Sequence, residues 1–398
     1  MSYMDCCDWN KCTLCGECLM KCPVMKMGQN EAKSEFSNLL KGEPAPRVFS
    51  ECTLCFSCNN YCPEGLRPYE LILQRVTEQG DRKKRLPALV PYFLNGMPGP
   101  TLWKDLYSKL KPREKKILDK WSVPPKESKE VLFMGCIGKL FTEDIENSKV
   151  LEPLAKFGPP DICCGELHYR SGQWKAYCEI TERTLKRFSE LEAERIVFYC
   201  GSCYTFLGNM LPKVYGKELP FKLTSLYEWL LEKTERGDIE VKRPIEHRAA
   251  IHESCYASEL GPGFYEPLRK LYKKAGADIV ELEHNRENNL SCGAASIVRN
   301  FSLFQMMKEQ GKKFKEVKNT GVDKVALNCP GCYLTLAATN RLYGVKMLYM
   351  PEILLRAFGD DIKKPISKMV FPTLKALGKR LPRAFKKVDA ALPEIPVE

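Results

Sequence analysis

Histidine is scarce in this chain, with four among 398 residues. No G-x-G-x-x-G or Walker sequence occurs, and carboxylates do not pair beside any motif, which argues against a nucleotide or flavin site of the chain's own. No run approaches the roughly 18 apolar residues needed to span a bilayer. The opening residues Met1–Cys12 lack an export-type apolar core. The basic excess, formally +12, falls in short runs such as Arg82–Arg85 and Lys312-Lys313, without interleaved aromatics. A nucleic-acid interface is therefore not expected, and the runs read as solvated faces or as docking surface for an acidic protein. Cysteine, in contrast, is abundant, at twenty residues. So many thiols without an export segment point to a reduced, cytoplasmic metalloprotein rather than a disulfide-stapled secreted one.

The thiols are patterned. Cys12, Cys15, Cys18 and Cys22 precede Pro23, and Cys52, Cys55, Cys58 and Cys62 precede Pro63. Both runs are C-x-x-C-x-x-C-x-x-x-C-P, the spacing that wraps cubane [4Fe–4S] clusters. Three cysteines at spacing three sit on one tight loop and reach three corners of a cube. In two-cluster ferredoxins the last cysteine of each run serves the other cluster, so Cys22 is expected with the Cys52 run and Cys62 with the Cys12 run. Zinc wants four ligands and has no use for two such runs. Each oxidised cube with its thiolates carries about −2, so two of them lower the formal +12 to about +8.

A chain of this length should hold two or three domains. Residues 1–80 read as a mainly helical two-cluster, ferredoxin-like domain, with a helix around Tyr69–Val76 ended by Gly80. Residues 81–128, rich in Lys, Pro and Gly, read as a connector with one or two helices. Its aromatics Tyr92, Phe93, Trp103, Tyr107 and Trp121 are expected as core or interface filler.

The rest repeats itself. Val131–Gly135 leads to Cys136, and Ala249–Ser254 leads to Cys255. Cys163-Cys164-Gly165 is answered by Ser291-Cys292-Gly293, and Cys200-x-x-Cys203 by Cys329-x-x-Cys332. Apolar runs and cysteines in register twice indicate a duplicated metal-binding module, spanning 129–245 and 246–360. The runs at 131–135, 195–199, 248–252 and 323–327 lack alternation, as buried parallel strands do. Helical patterns over Tyr177–Glu192 and Glu266–Ala275 lie between them. The fold class is α+β multidomain: a ferredoxin-like domain followed by two α/β modules with cysteines beyond the carboxyl ends of the strands.

Gly135-Cys136, Cys163-Cys164-Gly165 and Cys200-x-x-Cys203, with the second set His252-x-x-Cys255, Asn285–Asn288, Cys292–Ala295 and Cys329-Pro-Gly-Cys332, resemble the paired CCG domains of the cysteine-rich subunit of heterodisulfide reductase. The first eighty residues resemble the ferredoxin-like subunit that feeds it. The order along the chain is that of the form in which these two are fused, and of related iron–sulfur subunits. The resemblance implies a noncubane [4Fe–4S] cluster on Cys136, Cys163, Cys164, Cys200 and Cys203, with Cys163 and Cys164 at the face where a disulfide substrate meets it. Ser291 departs from the pattern and leaves Cys255, Cys292, Cys329 and Cys332. Four thiolates suffice for a further cubane; an altered cluster, another metal or an empty site are the alternatives. Because the family mechanism uses two noncubane clusters, Ser291 puts heterodisulfide chemistry in question and leaves thiol–disulfide chemistry or plain electron relay. Partners implied are a flavoprotein, a membrane cytochrome, or both, placing the chain in the cytoplasm with room for contact at the inner membrane face.

Cys178, in a helical pattern, reads as a small core residue. Cys6-Cys7 reads as part of a frayed terminus, with redox-active thiols or extra ligands as the alternatives. His168 and His252, each near a cysteine motif, are candidates for donating a hydrogen bond or a proton beside a cluster, as against satisfied loop histidines. Residues 361–398 carry apolar positions 366, 370, 374, 377, 381 and 385 among lysines and arginines, a basic amphipathic pattern suited to an anionic membrane, a partner, or docking on the chain itself.

Overall fold

The computed structural model describes residues 2–79, 85–87, 89–295, 303–380, 386–389 and 392–395. Gly80, the Arg82–Lys84 run, Ser296 and residues 381–385 lie outside them. The architecture is α+β: a helical N-terminal unit and two four-stranded parallel sheets. In the N-terminal unit, helices Gln29–Lys41 and Pro68–Gln79 flank the two cysteine loops. The second of these helices covers the span expected from the apolar spacing at 69–76.

Connector residues form β1 (Arg85–Pro87) and helices Leu89–Phe93, Leu102–Ser108 and Pro112–Trp121. β1 pairs antiparallel with β10 (Lys387–Asp389), tying the connector to the C-terminal segment.

The first sheet comprises β2 (Glu130–Phe133), β3 (Ala155–Phe157), β4 (Arg195–Phe198) and β5 (Lys222–Ser225), in the order β3-β2-β4-β5. The second comprises β6 (Arg248–His252), β7 (Asp278–Val280), β8 (Lys324–Leu327) and β9 (Lys346–Tyr349), in the order β7-β6-β8-β9. The topologies are the same, so the sequence repeat is a structural one. The central strands β2, β4, β6 and β8 coincide with the four apolar runs. The outer strands β3, β5, β7 and β9 carry no such run, because each has neighbours on one side only and is partly exposed.

The strand order fixes where chemistry can occur. The chain leaves β2 toward one side of the sheet and β4 toward the other, so the loops after these strands diverge and open a crevice at their carboxyl ends. Cys136 follows β2 and Cys200 follows β4; Cys255 follows β6 and Cys329 follows β8.

The C-terminal pattern is corrected by the structure. Helix Ser367–Gly378 turns Met369, Thr373 and Ala376 inward beside buried Ile366, while Phe371 and Leu374 are 72% and 45% exposed. Leu374, assigned by spacing to the apolar face, lies outside because the docking face is set by what the helix packs on. The terminus is not frayed at the other end either. Tyr3 is 3% exposed, its hydroxyl donates to Tyr169 O at 2.8 Å, and the turn Tyr3–Cys6 packs against helix Pro68–Gln79. Cys6 and Cys7, 3.7 Å apart, are therefore anchored.

Candidate metal centres

The two ferredoxin-type loops share one unusual backbone. Leu14 and Leu54, the third residues of Cys-Thr-Leu-Cys, both have φ 53°. Gly16 (φ 79°) and Phe56 (φ 70°) then take the left-handed region at matching positions. For a leucine or phenylalanine this conformation costs about 1–3 kcal/mol and persists only where the surroundings enforce it. What it achieves is direction: Leu54 N points at Cys52 Sγ at 3.4 Å, and the Leu14 amide does the same for Cys12. Amides aimed at sulfur suit a thiolate, not a buried neutral thiol.

Cys12, Cys15 and Cys18 line one cavity together with Cys62, Pro63 and Phe36. Burial and the neighbouring thiols Cys62, Cys15 and Cys12 push the Cys18 thiol up. Cys22 lies instead beside Cys55 and Cys52, and burial with those neighbours pushes it up to about 12. Cys58 is raised by burial and by Cys52 and Cys55. Each group of four thus draws its last member from the other run. Four thiols crowded together favour a bound cation that takes their protons.

In the first α/β module, Gly135 has φ 58°, and a Cβ there would lie 2.6 Å from Cys203 Sγ; only glycine lets the Cys136 loop close over the C-x-x-C turn. Gly165, at φ 78°, turns Cys163-Cys164 into helix Glu166–Arg170, and a Cβ there would meet Tyr177 at 2.6 Å. The five thiols converge: Cys136 Sγ is 3.5 Å from Cys163 Sγ, Cys164 hydrogen-bonds with Cys163 and Cys203, and Cys203 with Cys200. Those bonds lower Cys164 to about 7 against the opposing effect of burial.

Residues other than cysteine complete this site, and little in the sequence marks them. Asn95 Nδ2 approaches Cys136 Sγ at 3.4 Å and donates to Ile162 O at 3.1 Å. Tyr107, expected as filler, donates to Cys136 O at 2.7 Å. The Lys139 side chain is fully buried; its ammonium donates to Pro159 O and lies 5.6 Å from the Tyr107 ring centre. Burial lowers its pKa, and the neighbours that oppose this most are Cys136 and Cys163. A buried ammonium held by one carbonyl is costly unless anionic charge sits beside it, which five thiolates around a cluster would supply.

The second module gathers Cys255, Cys292, Cys329 and Cys332. Cys292 is lowered by a hydrogen bond from Cys332, and Cys332 also bonds with Cys329. Cys329 caps helix Pro330–Leu336, its sulfur accepting from Cys332 N at 3.4 Å. The buried Ser291 hydroxyl accepts from Gly293 N at 3.1 Å, so its oxygen serves the turn that a cysteine would otherwise begin. Arg170, from the first module, donates to Cys255 Sγ at 3.1 Å.

Among the described residues no three His, Cys, Asp or Glu side chains are arranged to hold a single metal ion. A four-iron cluster spreads its thiolates over a wider cage. The donor sets, thiol-only and four or five strong, fit iron–sulfur chemistry.

His168 and His252 are both fully buried, and burial lowers each to about 3. Burial thus favours the neutral ring in each, a form that still carries one N–H for a hydrogen bond. Their folded values lie below the unfolded value near 6.5, so the unfolded chain binds more protons between about pH 6.5 and 3, and stability falls as pH drops through that window. At pH 5.5 the two together should cost about 3 kcal/mol. The anaerobic melting midpoint should fall between pH 7 and 5.5, and less steeply in the His168→Gln/His252→Gln protein. An equal slope in both would trace the acid sensitivity elsewhere.

Comparison with known proteins agrees with this geometry. A cysteine-rich domain model (CCG) matches residues 131–208 and 249–337, and a 4Fe-4S dicluster domain model matches 8–66. The chain carries matches to both the CCG and the 4Fe-4S dicluster domains. One subunit of the dihydromethanophenazine:CoB–CoM heterodisulfide reductase of Methanosarcina barkeri is 24% identical over 374 residues, covering 83% of this chain and 88% of the relative. One subunit of the CoM/CoB fumarate reductase of Methanothermobacter marburgensis is 26% identical, covering 90% of this chain and 74% of that one. The EtfAB:quinone oxidoreductase of Syntrophomonas wolfei is 21% identical over 89% of the chain, which spans 59% of that longer protein. No helix among the described residues of the chain is long and apolar enough to cross a membrane.

Proposed function

We propose that the chain is an iron–sulfur electron-transfer subunit of a heterodisulfide-reductase-like complex. In this reading Cys12, Cys15, Cys18 and Cys62 hold one cubane, and Cys52, Cys55, Cys58 and Cys22 the other. Cys136, Cys163, Cys164, Cys200 and Cys203 hold a noncubane cluster, and Cys255, Cys292, Cys329 and Cys332 a further [4Fe–4S] cluster. The clusters supply one-electron chemistry and, at the five-thiol site, a face for a substrate sulfur.

The observation that carries the proposal is the seat of the second ferredoxin loop on the second α/β module. Asn60 Nδ2 donates to Ser258 O at 2.5 Å, Tyr61 Oη to Asn288 Oδ1 at 2.6 Å, and Ser57 Oγ meets Ser258 Oγ at 3.3 Å. Ser258 lies on helix Cys255–Leu260, which begins at a candidate ligand. A ferredoxin unit docked at that helix is built for passing electrons into the modules, not for carrying clusters elsewhere.

A second reading is a subunit serving a flavoprotein dehydrogenase that feeds quinone or a membrane cytochrome. Ser291 favours it, because a four-thiol second module asks less of substrate chemistry, and the likeness to an EtfAB:quinone oxidoreductase agrees.

Iron and acid-labile sulfide per chain, with EPR after oxidation in the presence of a thiol, separate the two. About sixteen irons and a thiol-dependent signal are expected for disulfide chemistry. About twelve irons without a thiol response would favour the relay, and absence of both cubane signals after reduction would remove either reading.

A further inference from the structure

We propose that Arg170 is a positioning residue that sets the reduction potential of the second-module cluster and couples that cluster to the cubane loop at Cys52. The inference rests on the cluster assignments above. Arg170 belongs to the first module, yet its guanidinium reaches three cysteine-bearing segments. Nη1 donates to Cys255 Sγ at 3.1 Å and to Glu166 Oε1 at 3.1 Å. Nη2 donates to Leu54 O at 2.5 Å. The Arg170 side chain is 4% exposed, and its guanidinium carbon lies 5.2 Å from the Phe56 ring centre and 5.9 Å from that of Tyr256.

Each contact has a physical consequence. Leu54 is the left-handed residue of its cysteine loop, so the bond to its carbonyl helps hold the strained turn that points amides at Cys52. Phe56, beneath the guanidinium, is the other left-handed residue of that loop. The bond to Cys255 Sγ comes from a permanent cation in a dry site. Such a donor stabilises a ligand sulfur most when the cluster has gained an electron, and so raises its potential.

One planar fork thus spans the cubane side and the module side of a single electron step, in which the Cys52-loop cluster is oxidised and the second-module cluster reduced. Glu166 anchors the fork from beneath and is held in turn by the Tyr256 hydroxyl. Lysine cannot replicate the span, because a compact ammonium lacks the planar two-pronged geometry.

The test is EPR-monitored redox titration of wild type, Arg170→Lys and Arg170→Met, each with iron counted. The second-module signal is identified as the one missing from Cys292→Ala. Arg170→Met should keep its iron and shift that signal's equilibrium about tenfold toward the oxidised form, about 59 mV for one electron, while the Cys12-loop cubane stays unmoved. Arg170→Lys should shift it in the same direction by less; it decides the matter if the methionine variant loses iron. An unmoved second-module potential with full iron overturns the inference, as does an equal shift of every cluster, which a general loosening of the fold would give. If wild type itself holds no iron in the second module, the cluster assignment fails as well, and the iron count separates that failure from the first.

Discussion

Cys62→Ala should abolish the cluster of the Cys12 loop and spare the one in its own run. The cavity that holds Cys12, Cys15 and Cys18 also holds Cys62, while Cys22 sits with Cys52 and Cys55. Removing one of four thiolates leaves a cubane with an open, water-exposed corner, so loss of about four irons is expected. The spectra of single variants should therefore sort across the sequence. Cys62→Ala should match Cys15→Ala, and Cys22→Ala should match Cys55→Ala. If Cys62→Ala matched Cys55→Ala instead, each run would wrap its own cluster, and the ligand sets proposed here would be wrong.

Arg67→Met should destabilise the whole assembly by about 3–5 kcal/mol, the usual cost of leaving buried partners of an ion pair uncompensated. Arg67 Nη2 bonds Glu70 at 2.8 Å and Nη1 bonds Glu259 at 2.9 Å, with side-chain exposures of 11%, 0% and 2% for the three. Tyr169 Oη donates to Glu70 at 3.0 Å, Asn59 Nδ2 to Glu70 at 3.2 Å, and Lys213 reaches Glu259 at 3.2 Å. The network joins the ferredoxin unit to both modules. Burial and the neighbouring Glu259 push the Glu70 carboxyl up and Arg67 opposes them, so without the guanidinium it should be pushed further up. A lower anaerobic melting midpoint for Arg67→Met, partly recovered in Arg67→Met/Glu70→Gln/Glu259→Gln, is the expected result. Single and triple variants melting alike would show that lost packing, not stranded charge, is the cause.

The network and Arg170 also explain why the site was only partly readable from the chain. The cysteines announce themselves, since thiolate ligands on a tight loop need short fixed spacings, and the repeat shows in register because both copies solve the same loop geometry. The central strands are legible as unbroken apolar runs because both faces of a parallel sheet are covered. Asn95, Lys139 and Arg170 carry no such mark. Each acts on a cysteine loop far from it in sequence, or through a backbone carbonyl whose position depends on the folded chain. Arg170 is 85 residues from Cys255 and 116 from Leu54.

The sequence by itself determined the thiol sets, the duplication, the α+β class and the odd serine at 291, because local spacing and apolar periodicity are enough to state them. The tertiary structure alone decided that His168 and His252 are fully buried, that Arg170 reaches Cys255 and Leu54, and that the C-terminal helix turns Phe371 and Leu374 outward. It also decided that the Cys52 loop rests on helix Cys255–Leu260 of the second module. Those outcomes depend on burial and on contacts between segments far apart in the chain, and neither is a property that any short stretch of sequence possesses.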